Sequence, residues 1–160
     1  MQTHQGGCLC GHLRYETHAG PARIVYCHCR FCQRATGSAY LVELIFPRTA
    51  FRLVQGTPTA YTLTSAGSGK QVKVNFCATC GTKIFLELER VPADIGLYAG
   101  TYDDPNWWDR NPVHSKHIFF GVAQRGAVIS PGIPVFHEHV TDRDGTAQMP
   151  MIFEVPHIVP

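Results

Sequence analysis

Cys27-His28-Cys29-Arg30-Phe31-Cys32 places three thiols within six residues, and its reading decides what the remaining cysteines do. Cys8-Leu9-Cys10 lies near the start of the chain. Cys77-Ala78-Thr79-Cys80, followed by Gly81, lies past the middle. These clusters hold all seven cysteines of the 160 residues. The count is odd, and Met1-Gln2-Thr3-His4-Gln5-Gly6-Gly7 has neither the basic start nor the apolar stretch of a secretory signal. Both observations weigh against a disulfide framework and for metal ligation or thiol chemistry in a reducing, cytoplasmic compartment.

Zinc is held tetrahedrally, and structural sites are closed by four protein ligands. Cys77 and Cys80 have knuckle spacing, with Gly81 able to take a positive φ that turns backbone N–H groups toward the sulfurs. Cys8 and Cys10 supply the second pair, since positions i and i+2 of an extended chain face one side. Gly7 and Gly11 bracket them and allow close backbone approach. The quartet ties the first segment to one far along the chain. Metal binding of this kind contributes roughly 10–16 kcal/mol in peptides, so the site reads as a fold-determining staple.

Cys27, Cys29 and Cys32 remain. Three protein ligands around an open fourth position is the arrangement of catalytic zinc. In an extended Cys-His-Cys segment the His28 side chain points to the opposite face, which leaves His28 and a water as alternatives for the fourth position. A second structural zinc closed by His28 or another residue is the plainer alternative. Three thiolates would make the ion a poor activator of water and a better host for a soft, exchangeable ligand. The expected chemistry is therefore addition or exchange of a substrate thiol held as a thiolate, with Cys27, Cys29 and Cys32 as the catalytic set.

The rest of the chain reads as a mainly β domain of short antiparallel strands. Strands are expected at His12–Thr17, Arg23–Cys27, Tyr40–Phe46, Phe51–Val54, Thr59–Thr64, Gln71–Phe76, Lys83–Leu88, Asp94–Ala99 and Lys116–Val122. Turn residues separate them, as in Gln55-Gly56-Thr57-Pro58. One short helix is expected around Cys29–Thr36, stopped by Gly37. A zinc-binding domain over residues 1–136 is followed by a polar, proline-rich tail, 137–160, docked on the same domain. Its apolar run Met149–Val155 is an edge strand or a docking segment.

A net charge of +2 is too mild to mark a nucleic-acid binder. Seven thiolates and two zinc dications would bring it to about −1, which removes the electrostatic case altogether. No apolar run approaches the roughly 18 residues of a membrane span. Arg30 and Arg34, one helical turn apart, could screen thiolate charge or hold a substrate carboxylate, but fit a solvated face equally well. His114 and His117 read as strand or loop residues outside the site, and Trp107 and Trp108 as an apolar plug. His137 and His139 share a face without enough signal to assign. Asp103 and Asp104 read as a turn.

On these motifs the chain resembles the glutathione-dependent formaldehyde-activating enzyme family, which also includes centromere protein V. Gly7-Cys8-Leu9-Cys10-Gly11, Cys27-His28-Cys29-Arg30-Phe31-Cys32 and Phe76-Cys77-Ala78-Thr79-Cys80-Gly81-Thr82 match in order and spacing over about residues 5–135; Gly56, Tyr61 and His117-Ile118-Phe119 also fit. The resemblance implies a β-tent fold with two zinc ions per chain. One is structural, on Cys8, Cys10, Cys77 and Cys80; the other is catalytic and labile, on Cys27, Cys29 and Cys32. It implies a carbon–sulfur lyase, like S-(hydroxymethyl)glutathione synthase, that joins or cleaves an adduct of a glutathione-like thiol with formaldehyde or a related aldehyde. Gln124-Arg125-Gly126-Ala127-Val128 replaces a Pro-Trp element common in the family, and the chain beyond Phe136 lies outside its pattern. Both departures bear on substrate rather than fold. Two alternatives stand beside the enzyme: a non-enzymatic zinc module for a partner or thiol adduct, and a redox switch that releases zinc from the trio. No nucleic-acid or membrane partner is expected, and assembly into a homo-oligomer is left open.

Overall fold

Alternating apolar residues in Gln71–Phe76 imply a strand with one buried face, and the computed structural model has strand there and along most of the chain. It describes residues 2–66, 68–142 and 144–160. In order these form β1 (Thr3–Gly7), β2 (Arg14–His18), β3 (Arg23–Cys27), helix α1 (Arg30–Thr36), β4 (Leu41–Pro47), β5 (Phe51–Gln55), β6 (Thr59–Thr64) and β7 (Gln71–Phe76). Then follow β8 (Lys83–Leu88), β9 (Asp94–Tyr98), β10 (Ser115–Ile118), β11 (Val128–Ile129) and β12 (His157–Ile158). The protein is mainly β, and α1 is the one α-helix among the described residues. No helix among them is long and apolar enough to cross a membrane.

The chain divides into two compact units and crosses between them three times, inside β3 after Arg23, inside β4 after Glu43, and after Asp109. The first unit holds the chain through Arg23 together with Leu44–Asp109. In it β1, β2 and β5 form an antiparallel sheet, and β6, β7, β8 and β9 pair antiparallel in that order. β8 buries Ile84, Phe85 and Leu86 in succession. A continuous buried run of this kind marks a strand covered on both faces. Phe46 and Leu97 are buried as well, each large buried side chain contributing about 1.5–3 kcal/mol. Tyr15 is fully buried as well, its hydroxyl 2.8 Å from Thr101 Oγ1 and its ring edge-on to Tyr102. Register shifts at Arg14/Tyr15 and Asn75/Phe76 sit where β2 leaves the first cysteine turn and β7 enters the second. Such irregularities bend a strand and re-aim the chain, and here they point both cysteine loops.

The second unit holds Ile24–Glu43 and Arg110–Pro160. β3 and β10 depart from the antiparallel expectation: they run parallel, His117 opposite Tyr26 and Ile118 opposite Cys27. A parallel pair needs a long return, which the intervening chain provides. The helix expected at Cys29–Thr36 is present. Cys29 is its N-cap, with Sγ accepting from Cys32 N–H at 3.4 Å, and Gly37 ends it in the left-handed conformation. Ile129, Val135 and Val159 are buried together, with Phe120 and Phe153 packed against them. The last residues thus complete this core: Val135 and Met151 exchange backbone hydrogen bonds, and β11 pairs with β12.

Three sequence expectations are displaced. The strand expected from His12 begins at Arg14, because Leu9–Leu13 turn instead of extending. The strand expected through Val122 stops at Ile118, since Phe119 takes φ of 59° and opens a 3₁₀ turn. Met149–Val155 makes a single bridge at Met151, and the strand lies beyond it at β12.

Candidate metal centres

The knuckle at Cys77 is built by backbone. Gly81 N–H donates to the Cys77 carbonyl at 2.8 Å and Cys77 N–H to the Thr82 carbonyl at 2.9 Å, with Gly81 at φ of 73°. A side chain there would be strained in the left-handed region. The Cys8 loop is a second tight turn, closed by Gly11 N–H to Cys8 O at 3.0 Å and Cys8 N–H to Leu13 O at 3.1 Å. This corrects the expected geometry: Cys8 and Cys10 converge through a turn, not through the alternation of an extended strand. Close approach at Gly7 is real, since a Cβ there would lie 2.4 Å from the Leu13 carbonyl oxygen.

The two loops bring Cys8, Cys10, Cys77 and Cys80 together, all four sulfurs within 4.8 Å of one another. Cys8 and Cys10 Sγ are 3.5 Å apart, and Cys10 and Cys77 Sγ 3.7 Å. Four sulfurs placed 2.3 Å from a common ion stand roughly 3.8 Å apart, so the donor set fits a tetrahedral ion such as zinc. Surrounding groups favour thiolate at Cys8 and Cys80. Leu13 N–H donates to Cys8 Sγ at 3.2 Å; although burial opposes ionisation of Cys8, this bond and the neighbouring sulfurs hold it below the ordinary thiol value. The Thr82 hydroxyl, 3.2 Å from Cys80 Sγ, and Thr82 N–H draw Cys80 down to about 5. At Cys10 the His12 N–H favours the thiolate, but Cys8 and burial outweigh it and push Cys10 up to about 12. Charge crowding of this kind is what a dication relieves. Thr82 also takes Leu9 N–H at 3.3 Å and so stitches the two loops.

Cys27, Cys29 and Cys32 form the second group, their sulfurs again within 4.8 Å of one another. Cys27 ends β3, Cys29 caps α1 and Cys32 sits in its first turn, so one strand-to-helix junction builds the trio. Cys27 and Cys32 are buried and Cys29 is half-buried. Hydrogen bonds from Cys27, Cys32 and the Cys32 and Phe31 N–H groups pull Cys29 down to about 3. Bonding to Cys29 holds Cys27 in its thiol form, and Cys27 and Cys29 together do the same for Cys32. The three thiols therefore titrate as a coupled set, and a bound metal ion would relieve the crowding of their charges.

His28 is not part of this group. It is fully buried, and its Nε2 lies 3.0 Å from His117 Nδ1. Tyr26 stacks on His117 at 4.5 Å between ring centres, and Tyr40 tilts against His28 at 5.0 Å. Desolvation lowers both imidazoles, His28 to about 4 and His117 to about 3, so the pair is neutral. The strand alternation therefore operates as read, while the partnership of His28 with His117 had no sequence signal, the two lying 89 residues apart.

Other residues singled out by the sequence have structural partners. Asp103 pairs with Arg14, and Asp104 accepts from Asn106 N–H in a turn. Trp107 stacks on His4 and meets Tyr102 edge-on, as a plug would. His137 packs against Gly121 and His139 against Phe119, and neither belongs to a metal-binding group among the described residues.

The family model described as glutathione-dependent formaldehyde-activating enzyme matches residues 3–121. A crystal structure of a Rhodobacter sphaeroides protein from a structural genomics programme is similar in fold, with a TM-score of 0.51 and 24% identity. That match covers 62% of this chain and 87% of the other.

Proposed function

Because the chain belongs to the glutathione-dependent formaldehyde-activating enzyme family, we propose that it is a zinc-dependent carbon–sulfur lyase. It would join or cleave the adduct of a thiol with an aldehyde, glutathione with formaldehyde or a close relative. Cys8, Cys10, Cys77 and Cys80 would hold a structural zinc, and Cys27, Cys29 and Cys32 a labile, catalytic one. The observation that carries the reading is a trio of converging sulfurs from which the adjacent histidine is turned away, bonded instead to His117.

A zinc ion bound by three thiolates supplies a soft Lewis-acidic position that favours the thiolate form of an incoming thiol. The chain's own part is to hold that charge in place. Cys32 N–H donates to Cys29 Sγ and stabilises negative charge there, and the capped helix keeps Cys32 facing Cys29. In the forward direction the substrate sulfur forms a bond to the carbonyl carbon, the C=O π pair moves to oxygen, and a proton from solvent completes the hydroxymethyl product. A reducing, cytoplasmic setting belongs to the same reading, since both sulfur groups need their cysteines unoxidised to hold an ion.

The test is exchange spectroscopy by NMR on glutathione and formaldehyde at equilibrium, with and without the zinc-loaded protein. Acceleration by wild type but not by Cys29→Ser is expected. An exchange rate equal to the uncatalysed one for both formaldehyde and bulkier aldehydes would overturn the reading.

A further inference from the structure

Gln33 is 3% exposed, and its amide is fully used. Nε2 donates to the His28 carbonyl at 2.6 Å and to the Val122 carbonyl at 2.9 Å. Oε1 accepts from Gln124 Nε2 at 3.1 Å and from Arg30 Nη1. A side-chain amide has two N–H donors and one oxygen with two lone pairs, and all four are engaged. The partners also fix its orientation. Rotated by half a turn, the amide would set N–H groups against the Arg30 guanidinium and its oxygen against two carbonyls.

Two of those partners lie within the segment that carries the sulfur trio, and two tie it to a distant one. His28 separates Cys27 from Cys29, Arg30 follows Cys29, and Cys32 precedes Gln33 on α1. Val122 and Gln124 belong to the segment after β10. α1 has seven residues, too few to be stable by itself in water. Something other than helix propensity must hold the strand end and the first helical turn at a fixed separation. We propose that Gln33 is the positioning residue of the trio, a buried clamp that keeps Cys27, Cys29 and Cys32 convergent and so sets the affinity and geometry of the metal they hold. The inference rests on the reading of the trio as the labile metal centre.

The test uses Gln33→Met, which keeps the volume and removes all four bonds, and Gln33→Glu, which keeps the acceptors and loses the donors to His28 and Val122. The full chain is loaded with Co²⁺, whose d–d and thiolate charge-transfer bands report each sulfur site, and ion release to a competing chelator is followed. Outer-shell partners typically govern about 10–100-fold in metal affinity. Both variants are expected to lose that much at the trio, with shifted d–d bands, while the Cys8/Cys10/Cys77/Cys80 ion is retained as in wild type. Wild-type release from the trio, or parallel loss from both sites, would overturn the proposal. Should neither Gln33 variant fold, Gln124→Ala, at an exposed position, removes one bond of the four. A several-fold weaker trio supports the clamp, and an unchanged trio refutes it. Selective loss in the variants with no thiol–aldehyde activity in wild type would sink the lyase reading and leave Gln33 standing. A wild-type protein that takes up an ion only at the quartet would end both.

Discussion

Serine at Cys77 and serine at Cys29 each replace one sulfur by oxygen, yet the two changes should have different consequences. Cys77 is fully buried, and its Sγ meets that of Cys10 across 67 residues of chain. Treated as a cross-link that restricts the unfolded chain, a bridge over that length is worth about 4 kcal/mol in loop entropy, against about 2 kcal/mol for the six-residue span of the trio. Domain stability is typically 5–15 kcal/mol, so losing the quartet consumes a large share of it. Cys29→Ser has a further mitigating feature. Position 29 is the N-cap of α1, where serine is among the preferred residues, so the helix keeps its cap while the soft ligand disappears. Urea unfolding, metal per chain by mass spectrometry and adduct exchange by NMR are measured on the same preparations. Cys77→Ser should lower the unfolding midpoint sharply and lose the quartet's ion. Cys29→Ser should stay folded with about half that loss of stability, release one ion and lose activity. If Cys29→Ser unfolds as readily as Cys77→Ser, the trio is a second clamp and the proposed chemistry is wrong.

Glu87 contributes to the pH dependence of the first unit. Burial opposes its ionisation, but hydrogen bonds from Lys73, Arg48 and Asn75 prevail and bring its pKa from 4.5 to about 2. A folded pKa below the unfolded one stabilises above pH 4.5, and that contribution fades as pH falls toward 2. With Lys73 and Arg48 half-exposed, solvent screening leaves on the order of 1–2 kcal/mol. Glu87→Gln should therefore lower the urea midpoint at pH 7 and converge on wild type near pH 2; parallel curves at every pH would contradict this. His117→Phe keeps the ring stack on Tyr26 but leaves His28 Nε2 buried without its partner, a cost of about 1–3 kcal/mol. The midpoint should fall with the metal content unchanged, and loss of an ion would show that the imidazole pair supports the sulfur trio directly.

Much of this architecture was legible because cysteine spacing is a local signal with one geometric consequence. Four strands, Arg23–Cys27, Thr59–Thr64, Gln71–Phe76 and Lys83–Leu88, fall on the bounds that alternation and turn residues dictate. What stayed hidden depends on contacts distant in sequence or on unusual backbone. β1 lacks β-branched and aromatic content beyond Thr3, and exists because β2 pairs with it from Thr3↔His18 to Gly7↔Arg14. Phe119 in the left-handed region is rare enough for a bulky residue that no pattern would place it there. Gln33 reads as an ordinary helix residue until its four partners are seen, two of them about 90 residues away. The turn at Cys8 differs from the extended path expected there because glycine permits either, and only the Leu13 contacts decide between them.

The position of His28 carries the largest functional weight. A histidine between two cysteines would ordinarily be an obvious fourth ligand, and a site so closed would have no place for a visiting thiol. Extended geometry decides otherwise, since His28 directly follows the end of β3 and its side chain turns to the side opposite Cys27. On that face His28 finds His117, delivered by the parallel strand β10. Restoring a donor to the sulfur face tests the point, because Arg30→His adds an imidazole beside Cys29 without disturbing the buried pair. Arg30 is exposed, so the fold should tolerate the change; because it also removes the Arg30 bond to Gln33 Oε1, Arg30→Ala is the reference against which the added imidazole is read. If an open coordination position is what the chemistry requires, this variant should bind its ion at the trio more tightly and exchange thiol adducts more slowly. Unimpaired exchange with a more tightly held ion would mean that the vacancy is not where the substrate sulfur acts.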